Sequence, residues 1–540
     1  MTDPLRRYGL LPELRDLPAS VPEALQGRAP RGGDPFVIGT DFRLTFAEAD
    51  ARSAELAGRL LAAGIGKGTR VGLLAPNGPW WAVTWLALAR IGALSVPLST
   101  FAPGAELART LRLTDVHAVL MAPRFGGENM AIRLESGLAG LADSHAELQL
   151  DDVPFLRWVL VEGDQPPRWS RTLPAPLAAT VVSAAESEVF PADALAIINT
   201  SGATAAPKSV LHTHGSLVRH AALLARRRGM INEDRIYSPM PFFWVGGLTM
   251  VLLAALASGA ACVVQERFEP GEALDLIERE RVTQVSCWPN ASRQLADHPT
   301  FAQRDLRAVR GGTLVEALPP EYRPPAGDRA PNVLGMTETG GPHTGPDDAY
   351  AVLPEPLRGT FGRPLTGMEH VVVDVVTGQG VPAGQEGELL LRGAFLMDGF
   401  YKRERHETFT SDGWYATGDL GWFGSDGHLR FTGRRTAMIK TGGSNVAPAE
   451  VEMALVRLPG VREAFVFGIP AGERGEDVAA VVVPESPGTI EPLALTASLR
   501  EALSSYKVPR HVLIVEEADL PTLPTGKADL ASLRGLFRAT

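Results

Sequence analysis

The chain has 540 residues, more than one hydrophobic core usually serves, so we expect two or more domains. Its hydrophobic fraction of 45% and charged fraction of 21% are near globular averages and exclude a largely disordered chain. A formal net charge of -10 excludes a broad nucleic-acid-binding surface, because such surfaces are basic.

The first half of the chain alternates helical patterns with short apolar runs, which is typical of βαβ units. The predicted elements are a helix at 46–63, a strand at 70–75, a helix at 80–91, and strands at 94–98, 117–121, 158–161 and 195–199. This alternation predicts an α/β fold in which helices cover mostly parallel sheets and ligands bind at the strand ends.

Two features bear on where the protein resides. Residues 247–264 form an uncharged run whose length is near the lower limit for a membrane-spanning helix, but Ser258 and Gly259 interrupt the run. We interpret this run as a buried helix at 248–256 and a buried strand at 260–264, with no transmembrane segment and with peripheral membrane contact left open. Residues 1–16 lack the apolar core of a signal peptide and two cysteines are too few for a disulfide framework, so we expect a cytoplasmic protein.

The pattern changes from about Gly359, where strands shorten and glycines become frequent. Strands at 369–376 and 388–392 indicate a small β subdomain. After it, helices are predicted at 449–457 and 493–504 and strands at 464–468 and 478–483, enough for a small α+β domain.

A small, hydroxyl-rich segment, Thr200 to Ser209, follows the predicted strand at 195–199. Its small residues let backbone N–H groups approach phosphate oxygens, and Lys208 supplies a cation. A Walker A loop would have glycine before this lysine, but Pro207 stands there and offers no N–H. The segment therefore predicts a phosphate-binding loop of another type, with an ordinary polar turn as the alternative.

Further motifs follow this loop in order along the chain. They are PFFWVGG at 241–247, GGTL at 311–314, GMTET at 335–339, GWYATGDL at 413–420, GR at 433–434 with GG at 442–443, and LPTGK at 523–527. With these motifs the chain resembles the adenylate-forming superfamily, and among its members the fatty acyl-CoA synthetases. The resemblance implies an ATP-dependent acid:CoA ligase that forms an acyl-adenylate and then an acyl-CoA.

The resemblance also implies the residues that bind MgATP. Glu338 and Thr204 would hold Mg²⁺, a hard cation that prefers oxygen ligands. Asp419 would accept the ribose hydroxyls and Arg434 would reach the ribose and phosphate. The implied nucleotide-binding residues are Thr200, Ser201, Gly202, Thr204, Lys208, Gly311, Gly312, Thr313, Gly335, Met336, Thr337, Asp419 and Arg434. The implied catalytic residues are Lys527, which would bridge the carboxylate and the phosphate, with Glu338, Thr337 and Lys208.

The division into domains is implied in the same way. An N-terminal AMP- and acyl-binding domain would occupy residues 1–432, and a mobile C-terminal lid domain would occupy residues 433–540. The hinge would lie at Arg435 and Thr436, where Thr436 departs from the usual Asp or Lys. Lys440, Gly442 and Gly443 would line the approach of coenzyme A, because glycines allow close packing on a thin pantetheine arm.

The motif at 241–247 bears on the acid. Amino-acid adenylation domains usually have an aspartate after its phenylalanine, whereas Trp244 follows Phe243 here, which disfavours an amino acid. Together with Gly246, Gly247 and Gly340, these aromatics indicate an acyl pocket for a fatty or polycyclic acid, the alternative being that they only pack the core.

Other readings stay open at this point. An aromatic acid, an acyl-AMP ligase that loads a carrier protein, and a non-catalytic binding relative are the alternatives in function. His212 and His214 lack a third metal ligand at a convincing spacing, so we expect them to flank the helix after the loop. The expected partners are a small carboxylic acid, ATP and coenzyme A, with no nucleic acid, and a homodimer is one option for the assembly.

Overall fold

The computed structural model describes residues 11–28, 31–200, 208–323, 332–346, 354–435, 439–441, 444–446, 448–471, 475–488, 490–503, 507–523 and 528–538. The chain folds into two compact units. The first contains Met1–Arg358, Gly362–Glu369 and Arg392–Gly413, and the second contains Gly359–Phe361, His370–Leu391 and Trp414–Thr540. In this division the β subdomain groups with the C-terminal residues, and the boundary at 432/433 stays a prediction.

A seven-stranded sheet is the main scaffold of the first unit. Its strands are, in spatial order, Gly399–Phe400, Lys208–Thr213, Ala194–Thr200, Leu94–Pro97, Arg70–Leu74, Ala118–Met121 and Trp158–Val161. The last five of these are parallel, Lys208–Thr213 runs antiparallel to them, and Gly399–Phe400 pairs antiparallel with Lys208–Thr213. The predicted parallel sheet is thus confirmed, and the first-half strands lie where the apolar runs predicted them.

Both faces of this sheet are covered, which explains why its strands are continuously apolar in sequence. Val71 and Leu73 pack into one hydrophobic cluster with helix Pro79–Arg90, whereas Leu74 packs into another cluster on the opposite face. Alternate residues of a strand point to opposite faces, so one short strand serves both clusters.

A second sheet of six strands completes the first unit. Its spatial order is Gly311–Gly312, Gln284–Val285, Arg235–Tyr237, Ala261–Val263, Pro35–Ile38 and Arg43–Thr45. Only the last pair is antiparallel. Three two-stranded ribbons are formed by Arg124–Phe125 with Glu128–Asn129, Gly335–Met336 with Gly341–Pro342, and Thr344–Gly345 with Arg363–Pro364.

Two helices of the first unit begin with a capping box. Thr45 and Glu48 form a capping box before Phe46–Ala62, and Thr213 and Ser216 form one before His214–Arg227. Apart from the helix that begins at Val245, the other described α-helices are Pro12–Arg15, Val21–Gln26, Pro79–Arg90, Gly104–Leu113, Met130–Gly137, Ala179–Ser187, Pro270–Arg279 and Pro289–Ala296. Short 3₁₀ turns lie at Phe301–Gln303, Val315–Ala317, Pro320–Tyr322, Thr337–Thr339, Glu355–Leu357 and Arg405–Glu407.

The uncharged run at 247–264 forms the buried helix and strand that its sequence indicated. An α-helical turn at Val245–Gly247 continues as a π-helix at Leu248–Leu253 and an α-helix at Ala254–Ser258, followed by the strand Ala261–Val263. Gly259 ends the helix at φ +84°, a conformation that favours glycine. Within the described part of the chain, no helix has the length and apolar character needed to cross a membrane.

The second unit contains most of one antiparallel sheet and a separate three-stranded sheet. The first is ordered Met368–Val373, Gly387–Gly393, Tyr415–Phe423 and Leu429–Arg434, and the second Val461–Pro470, Glu476–Pro484 and His511–Ile514. A hairpin joins Ile439–Thr441 and Ser444–Val446. The helices are Pro448–Val456, Pro492–Ala502 and Leu530–Gly535, with 3₁₀ turns at Glu517–Asp519 and Leu536–Arg538.

One strand is shorter than the sequence predicted. The strand expected to reach Val376 ends at Val373, because the next residue, Asp374, forms a turn with its own side chain. Its Oδ1 accepts hydrogen bonds from the backbone N–H groups of Val376 at 3.0 Å and Thr377 at 2.8 Å. An aspartate that bonds the backbone two and three residues on terminates a strand even where the following residues are apolar.

Candidate active site

The strand Lys208–Thr213 positions the lysine of the predicted phosphate loop. Lys208 pairs with Thr200 across the antiparallel ladder, so the two ends of the loop lie next to each other. The lysine Nζ lies 5.2 Å from the centroid of the Phe400 ring, a cation–π contact that holds the ammonium at the sheet edge. Ser209 donates its hydroxyl to Asn199 Oδ1 at 2.7 Å, which closes the base of the loop.

The turn Thr337–Thr339 carries the predicted metal and phosphate residues of the first unit. Glu338 is buried, and its backbone carbonyl accepts a hydrogen bond from Met397 N at 2.8 Å. Thr339 donates its hydroxyl to Gly341 O at 2.7 Å, and Gly340 ends the turn at φ +67°. The turn is therefore fixed by bonds on both sides.

His212 joins this turn to the strand Lys208–Thr213, which we call the phosphate strand because the predicted phosphate loop leads into it. Its Nε2 lies 2.7 Å from the backbone carbonyl oxygen of Thr337, and its Nδ1 lies 3.5 Å from Ser216 Oγ. Burial lowers the pKa of His212 to about 4, with the bond to Thr337 opposing that shift, so the ring is neutral at pH 7. A neutral ring that donates from Nε2 accepts at Nδ1, which fits the two partners.

Two other histidines of this segment are buried, and one of them, His220, lies beside the same turn. His220 stacks on Phe395 with ring centroids 4.6 Å apart, and a Cβ added to Gly340 would lie 3.5 Å from its Nδ1. His214 Nδ1 accepts a hydrogen bond from Val21 N at 3.3 Å. Burial lowers the pKa of each to about 4, so neither is charged at pH 7. As expected, His212 and His214 lie at the start of the helix His214–Arg227.

Local packing explains the glycines of this region. A Cβ on Gly340 would lie 2.7 Å from Leu217 Cδ2, and one on Gly335 would lie 2.7 Å from Gly341 O. Met336 is buried and pairs with Gly341 in the short ribbon. The roles of Gly335, Met336 and Gly340 toward ligands stay predictions.

The segment predicted to hold adenine forms the edge of the six-stranded sheet. Gly311 and Gly312 pair with Gln284 and Val285 on one side only. Gly312 has φ +97°, and a Cβ there would lie 1.9 Å from Val285 O, so only glycine fits. Thr313 accepts from Cys287 N at 3.1 Å and bonds Ser292 Oγ at 2.8 Å, so its hydroxyl anchors the edge.

An aromatic cluster lies where the acyl pocket was predicted. We define it as Phe101, Phe243, Trp244 and Trp288, whose ring centroids are 5.1 to 5.8 Å from their neighbours. Phe243 is buried, whereas Phe101 keeps 37% of its surface exposed. The cluster thus extends from the interior to the surface of the first unit.

The neighbouring residues of that motif serve the backbone and the core. Phe242 is fully buried against Trp81, with ring centroids 5.2 Å apart, so this phenylalanine packs the core. A Cβ on Gly247 would lie 2.1 Å from Pro241 O, and one on Gly246 would lie 2.9 Å from Met240 Sδ. These glycines allow the tight turn that presents Phe243 and Trp244.

In the second unit, the structure brings Asp419 and Arg434 together. They pair across strands Tyr415–Phe423 and Leu429–Arg434, and Arg434 Nε donates to Asp419 Oδ1 at 2.9 Å. Asp419 is only 2% exposed at its side chain, whereas Arg434 is 57% exposed. A buried carboxylate beside an exposed guanidinium can accept hydroxyls and reach an anion, as the predicted ribose and phosphate roles require.

Glu388 supports this pair and the predicted hinge. Its Oε1 accepts from Gly418 N at 3.1 Å and its Oε2 accepts from Arg435 Nη1 at 2.8 Å. Thr417 donates its hydroxyl to Leu389 O at 2.8 Å, so the turn before Asp419 is held on two sides.

Several predicted residues lie outside the described part of the chain. They are Ser201, Gly202, Thr204, Thr436, Gly442, Gly443 and Lys527. Lys440 belongs to strand Ile439–Thr441, where it pairs with Asn445. Sequence reasoning did not predict the bond of His212 to Thr337, the place of Phe101 in the aromatic cluster, or the bonds of Glu388. In each case the contacting residues are distant in the sequence.

The described residues contain no group of three or more histidine, cysteine or acidic side chains that could hold a metal ion. Glu338, buried at the turn, offers one carboxylate, which fits Mg²⁺ that binds mainly to phosphate oxygens and water.

Comparison with known proteins identifies the family of the chain. Residues 26–401 match the AMP-binding enzyme family, and residues 450–527 match the AMP-binding enzyme C-terminal domain. The chain is 32% identical over 499 residues to the feruloyl-CoA synthase of an Amycolatopsis species, covering 92% of this chain and 94% of that enzyme.

Two further proteins are similar over almost their full length. The (7a-methyl-1,5-dioxo-octahydro-1H-inden-4-yl)propanoyl:CoA ligase of Mycobacterium tuberculosis is 32% identical over 546 residues, covering 98% of this chain and 100% of that enzyme. The structure of the amide bond synthetase McbA from Marinactinospora thermotolerans has a TM-score of 0.78 and 28% identity, covering 96% of this chain and 100% of that chain. The chain therefore belongs to the AMP-binding, adenylate-forming enzyme family, and it is an acid:CoA ligase that uses ATP and coenzyme A.

Proposed function

We propose that the acid activated by this enzyme is largely apolar, fatty or polycyclic, and that the residues assigned above carry its two half-reactions. In the first, a carboxylate oxygen attacks the α-phosphorus of ATP and pyrophosphate leaves. In the second, the thiol of coenzyme A attacks the acyl carbonyl and AMP leaves. The observation that carries the assignment is the bond of His212 Nε2 to Thr337 O, which fixes the phosphate strand against the Thr337–Glu338 turn.

The residues of the first unit act on the phosphates. Lys208 and the loop that it ends bind phosphate oxygens, and Thr337 donates its hydroxyl to the α-phosphate. Glu338 with Thr204 would hold Mg²⁺, which neutralises charge on the phosphates when bound. Since the bonds from Met397 N to Glu338 O and from the Thr339 hydroxyl to Gly341 O fix the turn, its donors need no rearrangement as charge develops.

The residues of the second unit act on the ribose and on the timing of the reaction. Asp419 accepts the ribose hydroxyls while Arg434 turns toward the phosphate. Lys527 brings an ammonium to the reacting carboxylate in the first half-reaction. Rotation of a lid at residues 433–540 about Arg435 and Thr436 then withdraws it and brings Lys440, Gly442 and Gly443 to the thiol.

The aromatic cluster supports an apolar acyl group. Phe243 and Trp244 offer faces and edges without charge, and Phe101 extends the apolar surface outward. An ammonium on the substrate would find no carboxylate among these four residues, so an amino acid is disfavoured. A relative named for a bicyclic propanoyl group agrees with this size and polarity.

The substrate is tested by release of pyrophosphate from ATP across fatty, polycyclic and aromatic acids, with acyl-CoA detected by mass. We expect turnover with apolar acids and little with sulfonated or amino acids. Preference for small aromatic acids would refute the assignment of the aromatic cluster as a pocket for fatty or polycyclic acids. Acylation of a carrier protein in place of coenzyme A would refute coenzyme A as the acyl acceptor.

Matched variants separate the pocket from the core. Trp244→Leu should change the ratio of rates between long and short acids, whereas Phe242→Leu should lower stability and leave that ratio unchanged, because Phe242 packs only on the core. Lys527→Ala should abolish adenylate formation, and Thr436→Pro should slow thioester formation while sparing the adenylate. Equal loss of both half-reactions in Thr436→Pro would contradict the hinge.

A further inference from the structure

The amino ends of three parallel strands carry a row of basic side chains. Arg70, His117 and Arg157 directly precede Val71, Ala118 and Trp158, which are in register across the seven-stranded sheet. His117 N donates to Arg70 O and Arg157 N donates to His117 O, both at 2.8 Å. Residues at the same level of neighbouring parallel strands point to the same face, so the three side chains form one row.

A cleft of about 650 Å³ opens beside this row. Its lining includes His117, Arg157, Trp158 and Arg171. Arg171 lies over the Trp158 ring at 5.2 Å from the centroid, and its backbone N–H donates to Val159 O at 2.7 Å. The cationic groups are therefore held by the sheet and by a buried aromatic ring, as a preformed site requires.

The charges of this cleft are not balanced within the described residues. Two arginines line the cleft, Arg157 and Arg171, and neither they nor Arg70, which precedes the neighbouring strand residue, form an ion pair with any described carboxylate. Among the described residues, the Arg157 guanidinium donates to Pro154 O at 2.8 Å and the Arg70 guanidinium to Asp115 O at 2.9 Å, both uncharged backbone acceptors. Burial lowers the pKa of His117, and the nearby charges of Arg157, Arg70 and Arg171 lower it further. Gathering like charges costs free energy unless an anion neutralises them.

We propose that this cleft binds a small oxyanion with two or more negative charges, of the phosphate type, at a site separate from the nucleotide. Guanidinium groups match the geometry of phosphate oxygens and donate two bonds at once. The Trp158 strand lies four strand positions, roughly 19 Å, from the strand that ends at Thr200, and the cleft lies at the opposite strand ends. The bound anion would therefore stabilise the sheet without touching the reacting atoms.

Two features of the lining oppose an anion, and one of them offers a test. The cleft includes Ala63 and Gly64 after helix Phe46–Ala62, but the terminal carbonyls of that helix already accept backbone hydrogen bonds. Glu147 is an exposed carboxylate in the same lining. Its removal should strengthen anion binding, the opposite of what removal of the arginines does.

Isothermal titration of the full chain with inorganic phosphate, at constant ionic strength, tests the site. Arg157→Gln with Arg171→Gln should weaken phosphate binding at least tenfold, and Glu147→Gln should tighten it. Arg109→Gln, an exposed arginine on helix Gly104–Leu113, makes a matched charge control and should leave it unchanged.

Adenylate formation without added phosphate should be equal in all these variants, which would show that they are folded. Because this activity does not depend on the cleft, failure of the phosphate test and failure of the proposed function can be distinguished. Should the double variant unfold, Arg157→Gln alone, whose side chain is exposed, gives the same comparison. Equal phosphate affinity in the parent and the arginine variants would overturn the proposal, and so would an equal loss in Arg109→Gln.

Discussion

His212→Met is the substitution that separates a positioning role of His212 from its contribution to the core. Methionine fills a similar volume without a donor, so the carbonyl of Thr337 loses the bond that now spans 2.7 Å. The carbonyl keeps its bond from Gly340 N at 3.0 Å, so the cost is that of one lost hydrogen bond, about 0.5–1.5 kcal/mol. The turn that carries Thr337 and Glu338 would relieve this cost by moving away from the phosphate strand.

The size of the kinetic effect follows from that cost. If about 1.4 kcal/mol falls on nucleotide binding, the KM for MgATP rises roughly tenfold. The effect should fall on KM and on the adenylation rate, and the ratio of rates between different acids should not change, because the aromatic cluster is formed by other segments.

The assay is pyrophosphate release at varied MgATP, with urea unfolding measured on the same samples. His212→Gln is the matched control, since its amide nitrogen can take the place of Nε2 and donate to Thr337 O. We expect His212→Gln to keep most of the activity that His212→Met loses. Equal kinetics in the two variants, at equal stability, would refute the positioning role.

Two further predictions concern stability. Burial lowers the pKa of His212, His214 and His220 from the ordinary 6.5 to about 4 each, so between these pH values the unfolded chain binds protons that the folded chain does not. The contribution of these histidines to the free energy of unfolding should therefore be fully present above pH 6.5 and fall as the pH drops toward 4, by about 2 kcal/mol for each histidine at pH 5. Replacing His220 with Gln should reduce the fall in the urea midpoint between pH 7 and pH 5. Gly312→Ala should lower stability by more than about 2 kcal/mol, because its Cβ would meet a backbone oxygen at a positive φ, whereas Gly66→Ala, where nothing lies within 4 Å, should change the urea midpoint little.

The sequence predicted the elements that are determined locally. The helix Phe46–Ala62 and the strand Trp158–Val161 follow from their apolar periodicity and lie where it indicated. The end of the strand at Val373 was not predicted. There the side chain of Asp374 accepts backbone hydrogen bonds that would otherwise continue the strand, and apolar periodicity does not show this competition.

The site was predictable only where a motif is short and continuous. Asp419 and Arg434 belong to separate motifs, yet their strands are neighbours in an antiparallel pair, and the structure brings them to 2.9 Å. The bond between His212 and Thr337 spans 125 positions, and neither residue signals the other in the sequence. Such a pairing depends on strand order and register, which periodicity does not determine.

The choice of histidine at position 212 follows from the number of elements that meet there. A lysine or arginine could also donate to the Thr337 carbonyl, but an unpaired buried cation would cost several kcal/mol. A neutral imidazole avoids this cost and offers a second nitrogen, which faces Ser216 Oγ at 3.5 Å at the start of helix His214–Arg227. One ring thereby connects the phosphate strand, the helix that follows it and the Thr337–Glu338 turn, whereas glutamine can maintain only the bond to the turn. The histidine therefore fixes three elements around the proposed nucleotide site without adding charge beside Glu338, the carboxylate proposed to hold Mg²⁺.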